Sequence, residues 1–256
     1  LGNIFHAGSR SKSLFFFADD NIVADQKHAI ELFKAITPLK IRWTGQGSLT
    51  MARNPELLYW MKKSGCTIIL IGYESLEKKN LVQMKKDWNS KLGETEMLTK
   101  RIHDAGLNIY ATFVFGFDYD DKELFERTLK FAKKQGFYFS AFNHLLPMPG
   151  TELHSRLESE GKLFDKKWWL KKGYLYGNLV FNPGKLTAAE VSENCRIIRK
   201  RFYQIGSIFK RGFLCLFRSR DLLLFLYFWY LNLQLGQEVG EKMYLPIGEN
   251  LDELPK

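Results

Sequence analysis

The sequence predicts an α/β fold in which consecutive parallel strands are connected by helices. Five apolar runs recur along the chain, beginning near Leu14, Lys40, Thr67, Asn108 and Phe139. Each run is followed by a polar turn and an amphipathic helical pattern, the alternation typical of βα units. The runs that begin at Leu14, Thr67 and Ile109 are nearly continuous in apolar or β-favouring residues. Such strands are typically buried on both faces, as in a parallel sheet covered by helices.

The helices between the runs have recognisable first and last residues. Asn54 is the expected N-cap of one helix, with Pro55 at the first helical position and Gly65 after two lysines in the last turn. Gly106 and Gly136 end the next two helices in the same way. Parallel strands with right-handed crossovers form a barrel or an open sheet, and in both the ligand lies at the carboxyl ends of the strands. The strand-end residues are therefore the first candidates for a binding site.

After Gly150 the βα repeat stops and a mainly helical extension is predicted. One helix is expected from Thr151 to Glu160 and a long one from Thr187, where Glu190 completes a capping box. The run Leu222 to Leu231 has ten uninterrupted apolar residues. A spanning helix needs roughly 20. This run therefore predicts a buried or interfacial helix rather than a transmembrane one.

The chain has 256 residues and a formal charge of +10, which favours anionic partners such as phosphates, nucleic acid or a membrane surface. Many surface lysines on an ordinary globular protein would give the same balance. Cys66, Cys195 and Cys215 are too widely spaced to indicate a disulfide framework or a zinc site, and a reducing cytoplasm is predicted. The first residues lack the apolar core of a secretory signal. The start at Leu1 predicts a fragment of a longer protein.

Five polar or glycine-rich turns are expected to meet at one rim, at residues 18–21, 44–48, 72–75, 116–118 and 146–151. Carboxylates and amides there suit hydroxyl and ammonium groups, and glycines allow a flat ring to approach the backbone. Capping of the next helix is an alternative role for Asp19, Asp20 and Asn21. His144 falls on a strand near the rim, where a core histidine is the more common outcome than a ligand or a base.

Four motifs, in order, resemble those of radical S-adenosylmethionine enzymes, most closely the branch with a cobalamin-binding domain. They are Phe16-Phe17-Ala18-Asp19-Asp20-Asn21, Ile71-Gly72-Tyr73-Glu74-Ser75, Phe113-Val114-Phe115-Gly116-Phe117-Asp118 and Leu146-Pro147-Met148-Pro149-Gly150-Thr151. The resemblance implies a partial parallel (βα) barrel with strands two to six present. It implies a truncated core at residues 1–165 and a mainly helical extension at 166–256.

In that family a Cys-x3-Cys-x2-Cys loop after the first strand holds a 4Fe-4S iron-sulfur cluster, which cleaves S-adenosylmethionine to a radical. This chain has no such loop, so the resemblance implies a C-terminal part that is inactive alone. The full-length protein would use S-adenosylmethionine, the cluster and, in this branch, cobalamin. Its reaction would be methyl transfer or rearrangement on a small-molecule or lipid-like substrate.

The resemblance also assigns candidate contacts to S-adenosylmethionine. The candidates are Asp19, Asp20, Asn21, Gln46, Glu74, Ser75, Gly116 and Asp118. The turn at 18–21 falls where the family contacts the methionine amino group, and residues 74 and 75 fall where it contacts the ribose. Residues 116 and 118 match the motif that supports the adenine, although the general family pattern places an uncharged or spacer residue at 118.

Two other functions remain open from the sequence. The first is a cofactor-free α/β barrel enzyme with Asp19 or Glu74 as acid or base. The second is a membrane-surface or scaffold protein, because Arg196 to Arg220 contains eight basic and no acidic residues directly before the apolar run. That pattern fits peripheral membrane contact through residues 196–235, and it equally fits a basic helix face packed on the barrel. Nucleic acid is not a predicted partner, since no binding module accompanies the charge.

Overall fold

The fold is described by a computed structural model that covers residues 14–84, 92–171, 173–175 and 177–241. Its sheet has five parallel strands in sequence order. These are β1 (Leu14–Phe16), β2 (Arg42–Gly47), β3 (Cys66–Glu74), β4 (Asn108–Phe115) and β5 (Phe139–His144). The strands form a half-barrel, and the predicted α/β architecture is confirmed.

Helices connect the strands and continue beyond them. The connecting helices are α1 (Gln26–Ile36), α2 (Pro55–Lys63), α3 (Lys78–Gln83), α4 (Leu92–Asp104) and α5 (Lys122–Gln135). The extension contains α6 (Glu152–Ser159), α7 (Ala188–Phe202), α8 (Ile205–Ser219) and α9 (Leu222–Glu241). The predicted caps are confirmed: Asn54 accepts the Leu57 N–H, and Thr187 forms a capping box with Glu190. Gly136 ends α5 with a φ of 64°, a left-handed conformation that favours glycine.

The two faces of the sheet have different environments. Along β3, Ile69, Ile71 and Tyr73 are buried under the helices on the convex face. Successive side chains of a strand point to opposite faces, so the partly exposed Leu70 and Gly72 lie on the concave face. The strand register extends this concave face across β2, β3 and β4, because Gln46 pairs with Leu70 and Gly72 with Thr112.

The prediction that β1 is buried on both faces was wrong. Leu14 is 54% exposed and Phe16 is 59% exposed, while Phe15 and Phe17 pack against the core. The reason is position: β1 is at the edge of the described sheet, and its concave side has no helix over it. A continuous apolar run does not reveal which of its faces is covered.

The α8–α9 hairpin covers the amino-terminal part of the concave face. Its inward side chains form a second apolar cluster with the amino-terminal parts of the strands, made of Ile68, Tyr110, Tyr138, Phe139, Ile208, Cys215, Leu224 and Phe228. The carboxyl ends of the strands stay outside this cluster. Residues on both sides of the predicted boundary at 165 share the main core, and the division into two domains stays a prediction.

No helix in the part of the chain described by the structure is both long and apolar enough to cross a membrane. Helix α9 instead has one buried side, with Leu224, Phe228 and Asn232, and one exposed side. That arrangement agrees with the predicted buried or interfacial helix.

A buried arginine anchors the hairpin. Arg211 is 1% exposed, and its guanidinium donates to the carbonyl oxygens of Phe137, Tyr138 and Phe202 and to Oδ1 of Asn232. Its charge also lies 3.9 Å above the centre of the Phe202 ring, which favours a cation. Burial lowers the pKa of Arg211 to about 9, so the side chain remains charged at neutral pH.

Replacing Arg211 by methionine should therefore destabilise the fold. Arg211→Met removes the arginine hydrogen bonds to three buried carbonyl oxygens, of which that of Tyr138 keeps a bond from Asn232, and we expect the free energy of unfolding to fall by about 3 kcal/mol or more. The exposed neighbour gives a matched control, since Lys210→Met should change it by less than about 0.5 kcal/mol. Urea unfolding followed by circular dichroism measures both. Equal effects of the two substitutions would contradict the anchoring role.

Candidate functional site

The carboxyl ends of the first four strands surround a cavity of about 370 Å³. Four of the predicted site residues line it, namely Asp20, Asn21, Gln46 and Glu74. The turn that carries Asn21 is held against β2, because the N–H of Ile22 donates to the carbonyl oxygen of Gln46 at 3.0 Å. The structure thus brings these four side chains together at one rim.

The predicted turn at 44–48 was wrong, since residues 44–47 belong to β2. Glycine usually marks a turn, but here Gly47 is packed inside the sheet. A Cβ on Gly47 would lie 3.2 Å from Cγ2 of Val23 and 3.4 Å from Sδ of Met51. Residues 72–74 likewise form the end of β3 rather than a turn after it. The rim is therefore built partly from strand side chains.

The turn at 18–21 does not cap the next helix. The N-cap of α1 is Asp25, whose side chain accepts the N–H groups of Lys27 and His28. Asp19 and Asp20 are exposed, and Asp19 does not line the cavity. Oδ1 of Asn21 is buried without a hydrogen-bond partner among the described residues. A buried acceptor left in this way costs roughly 1–3 kcal/mol, so the site fits a ligand that donates a hydrogen bond.

Glu74 has an unusual backbone conformation at the end of β3. Its φ is 62°, in the left-handed region, and the pairing register with β4 shifts between Gly72 and Glu74. Such a conformation in a residue other than glycine costs on the order of 1 kcal/mol and is concentrated at functional sites. The carboxylate lies over Gly72, where a Cβ would be only 2.4 Å from Oε1 of Glu74. Glycine at 72 is what allows this carboxylate position.

A buried polar network joins the ends of β3 and β4. Nδ2 of Asn80 donates to Oγ of Ser75 at 3.2 Å and to Oδ1 of Asp120 at 2.6 Å. Oδ2 of Asp120 accepts the N–H groups of Gly116 at 2.7 Å and Phe117 at 3.2 Å. The Ser75 oxygen and the Gly116 N–H therefore already have partners within the protein. These two predicted residues contribute to the shape of the rim.

Asp120 is a residue of the site region that the sequence reasoning missed. It is 1% exposed and holds the turn in which Gly116 has a φ of 108°. A signal was present, because an aspartate side chain can bond backbone groups three or four residues earlier in the chain.

Asp118 is held away from the first cavity by an ion pair. Its carboxylate lies 2.9 Å from Nη1 of Arg156 and accepts a hydrogen bond from Gln83 at 2.7 Å. Partial burial acts to raise the pKa of Asp118, but these hydrogen bonds and the charge of Arg156 lower it overall. Arg156 and Gln83 line an adjoining cavity of about 400 Å³, which shares Glu74 with the first. Asp118 thus positions two side chains of that second cavity.

No family model matches the chain. The chain is 31% identical over 202 residues to bacteriochlorophyllide d C-12(1)-methyltransferase of Chlorobaculum tepidum, covering 79% of this chain and 43% of that protein. It is 27% identical over 154 residues to hopanoid C-2 methylase of Rhodopseudomonas palustris, covering 58% and 29%. The structure of TsrM from Kitasatospora setae, a radical S-adenosylmethionine methyltransferase with cobalamin and a 4Fe-4S cluster bound, matches with a TM-score of 0.54 and 13% identity. It covers 89% of this chain and 52% of that one.

The chain belongs to the radical S-adenosylmethionine family, in its cobalamin-dependent methyltransferase branch. The resemblance of the four motifs and the predicted fold type are confirmed. The chain spans less than half the length of the two curated relatives named above.

The three cysteines of this chain do not fit an iron-sulfur cluster. Cys66 begins β3, at the end of the strand away from the rim, and Cys195 and Cys215 lie in α7 and α8. All three are buried, and burial raises the pKa of Cys215 to about 12. A cluster needs thiolates. Within the described residues, no group of three or more histidine, cysteine, aspartate or glutamate side chains could hold a metal ion.

His144 is the last residue of β5 and pairs with Phe115, which places it in a row that faces the helices. Burial, together with the charge of Arg199, lowers the pKa of His144 to about 4, so the ring is neutral at pH 7. Its Nε2 is buried without a hydrogen-bond partner among the described residues. The expectation of a core histidine thus holds for its burial and not for its hydrogen bonding.

Two other cavities lie away from the rim. One of about 530 Å³ is lined by Trp168, Tyr174 and Glu193 in the extension, and one of about 820 Å³ lies between α2 and α4. Neither contains a predicted site residue. Trp168 is 6% exposed and donates from Nε1 to the carbonyl oxygen of Pro147, so it belongs to the core.

The titration of Asp120 gives a pH-dependent test of the network. Burial raises its pKa from 3.8 to about 6, despite hydrogen bonds from Gly116, Phe117 and Asn80 that lower it. The folded chain therefore holds this proton more tightly than the unfolded chain between these two values. The resulting contribution to stability is complete below pH 3.8 and is lost as the pH rises through about 6.

Asp120→Asn removes this titration. We expect the wild-type free energy of unfolding to fall relative to that of Asp120→Asn by roughly 3 kcal/mol between pH 3.5 and 7. Urea unfolding of both proteins across this range measures the difference, in which other titrating groups cancel. A difference that is constant or grows in favour of the wild type with pH would show that the Asp120 pKa is not raised.

Proposed function

We propose that this chain is the S-adenosylmethionine-binding, C-terminal part of a radical methyltransferase that acts on a hydrophobic or lipid-like small molecule. The observation that carries the proposal is the 370 Å³ cavity at the strand ends. Asn21, whose Oδ1 has no hydrogen-bond partner among the described residues, lines it together with Gln46 and Glu74. A volume of this order suits a small-molecule ligand.

The order of the strands supports the assignment of the cofactor. S-adenosylmethionine is linear, with an amino acid, a ribose and an adenine in succession. Asn21 follows β1, Glu74 ends β3 and Gly116 follows β4, so the three lie in this same succession along the rim. Strands are about 4.8 Å apart, which separates β1 from β4 by roughly 14 Å.

Each group would have a definite task in binding. The Asn21 oxygen and the exposed Asp20 carboxylate would accept hydrogen bonds from the ammonium group. The Glu74 carboxylate would accept bonds from the ribose hydroxyls, which suit a carboxylate acceptor. Gly116 and Asp120 would shape the rim beside the adenine, because Asp120 accepts the N–H groups of Gly116 and Phe117. Ser75 would act indirectly, by orienting Asn80.

The iron-sulfur cluster and the cobalamin of this branch would be bound by other parts of a longer protein. The three cysteines of this chain do not fit a cluster, and the chain covers 43% of its bacteriochlorophyllide-modifying relative. We expect a Cys-x3-Cys-x2-Cys sequence to be encoded upstream of Leu1. The buried free thiols agree with a reducing cytoplasm as the location.

Two observations support a hydrophobic substrate. The curated relatives include proteins named for acting on a bacteriochlorophyllide and a hopanoid. Within this chain, Met148, in the turn after β5, is more than half exposed beside the carboxyl ends of the strands. An apolar molecule there would cover side chains that water now contacts.

Substitution of the rim should weaken cofactor binding in the cluster-reconstituted, full-length protein. Glu74→Gln and Asn21→Ala should each raise the Kd for S-adenosylmethionine about tenfold, because each removes a polar contact in a water-poor site. Equilibrium dialysis with radiolabelled S-adenosylmethionine measures the Kd. Glu31→Gln, an exposed change on α1, is the matched control and should leave it unaltered.

Unchanged affinity in both rim variants would refute the assignment of the site.

The 256-residue chain alone provides a further comparison. Incubated with S-adenosylmethionine, iron, sulfide and a reductant, it should release no 5′-deoxyadenosine. Iron-independent turnover by this chain would instead identify a cofactor-free barrel enzyme.

A further inference from the structure

The outer face of the α8–α9 hairpin carries a band of exposed apolar side chains, called here the outer band. It consists of Ile205, Phe209, Phe213, Phe217, Leu222, Leu226, Tyr227, Tyr230 and Leu233. These nine are almost half of the 19 large hydrophobic side chains that are exposed in the described part of the chain. Single apolar residues on a surface are ordinary, but a contiguous band marks an interaction surface.

The side chains of the two helices form one continuous surface. On α8 the apolar residues recur every four positions, which keeps them on one side of the helix. Aromatic contacts then bridge the two helices, with ring centres 5.7 Å apart for Phe209 and Trp229 and 6.5 Å apart for Phe213 and Phe225. The outer band is thus a ridge of packed rings and aliphatic chains.

The exposure of the outer band is imposed by the opposite side of the hairpin. There Ile208 and Phe228 are buried against the sheet, and Arg211 is bonded to three backbone carbonyl groups. Rotating the band inward would expose these apolar groups and break the arginine contacts. The fold therefore keeps the band at the surface.

The chain around the hairpin is strongly basic. Between residues 194 and 237 the one acidic residue is Asp221, which pairs with Arg42 at 3.0 Å. Lys200, Lys210 and Arg220 are exposed in this segment. Lys210 lies within the α8 part of the outer band.

Other basic residues of the segment are used inside the protein. Arg201 pairs with Glu126, and Arg218 donates to the carbonyl oxygens of Gln135 and Gly136. Packing thus explains part of the basic stretch that the sequence shows. The exposed cations and the outer band are not explained by packing.

We propose that the α8–α9 hairpin docks on the surface of an anionic lipid membrane. The outer band would enter the boundary between headgroups and acyl chains, where its tyrosines suit a layer that is apolar on one side and wet on the other. Lys200, Lys210 and Arg220 would contact the lipid phosphates, which attract basic residues beside an apolar helix. The exposed Lys210 within the band disfavours a protein interface, because the core of such an interface is depleted in charged residues.

Co-sedimentation with vesicles tests this proposal on the complete protein and is independent of the function proposed above. The probes are vesicles of phosphatidylcholine alone and of phosphatidylcholine with about one third phosphatidylserine. We expect sedimentation with the anionic vesicles, weakened by salt, and at least about fivefold less with the neutral ones.

Two substitutions on exposed positions remove part of the outer band without touching the buried contacts. Phe217→Ser combined with Leu226→Ser should lower the bound fraction at least about fivefold, because these side chains are 74% and 56% exposed and supply apolar area to the membrane. Leu170→Ser, 70% exposed elsewhere, is the matched control. Circular dichroism confirms that each variant is folded.

A charge reversal separates the electrostatic part. Lys210→Glu should reduce binding to anionic vesicles, and Lys78→Glu on α3 should not. Absence of binding to anionic vesicles, or equal binding by the Phe217→Ser/Leu226→Ser variant, would overturn the proposal. So would a dimer in light scattering that this variant dissociates while no vesicle binding occurs, since the occupant would then be a second copy.

Discussion

The curvature of the parallel sheet leaves a concave face that the helices between the strands cannot cover. Those helices pack on the convex side, over Ile69, Ile71 and Tyr73 of β3. The α8–α9 hairpin fills the amino-terminal half of the concave face, and the buried charge of Arg211 holds it there. What remains open is the carboxyl end of the strands, where a parallel α/β fold ordinarily binds its ligand.

At that open end, internal hydrogen bonds and glycines set the shape of the rim. The Asn80–Asp120 pair joins the ends of β3 and β4, and Gly72 leaves the space in which the Glu74 carboxylate lies. The left-handed backbone of Glu74 and the unpartnered oxygen of Asn21 both carry an energetic cost in the protein alone. Binding of a ligand with hydrogen-bond donors would offset the second of these costs.

Much of the fold could be predicted from the sequence because its signals are local. The apolar runs located all five strands, and the Asn54 cap and the Thr187 capping box located the starts of two helices. What could not be predicted depends on neighbours that are distant in sequence. The exposure of β1 follows from its place at the sheet edge. The carboxylate of Asp118 is paired with Arg156, which is 38 residues away in the sequence. The grouping of Asp20, Asn21, Gln46 and Glu74 was accessible, because parallel strand ends share one edge.

The central claim is that S-adenosylmethionine binds along the open strand ends. Hydrogen exchange of the cluster-reconstituted, full-length protein, with and without S-adenosylmethionine, tests it most directly. The account predicts slower amide exchange at residues 18–24, 45–48, 72–76 and 116–118, because a ligand there excludes water and restrains the rim. Slowing confined to residues 164–193, around the cavity of the extension, or no slowing at the rim when the cofactor is bound, would contradict it.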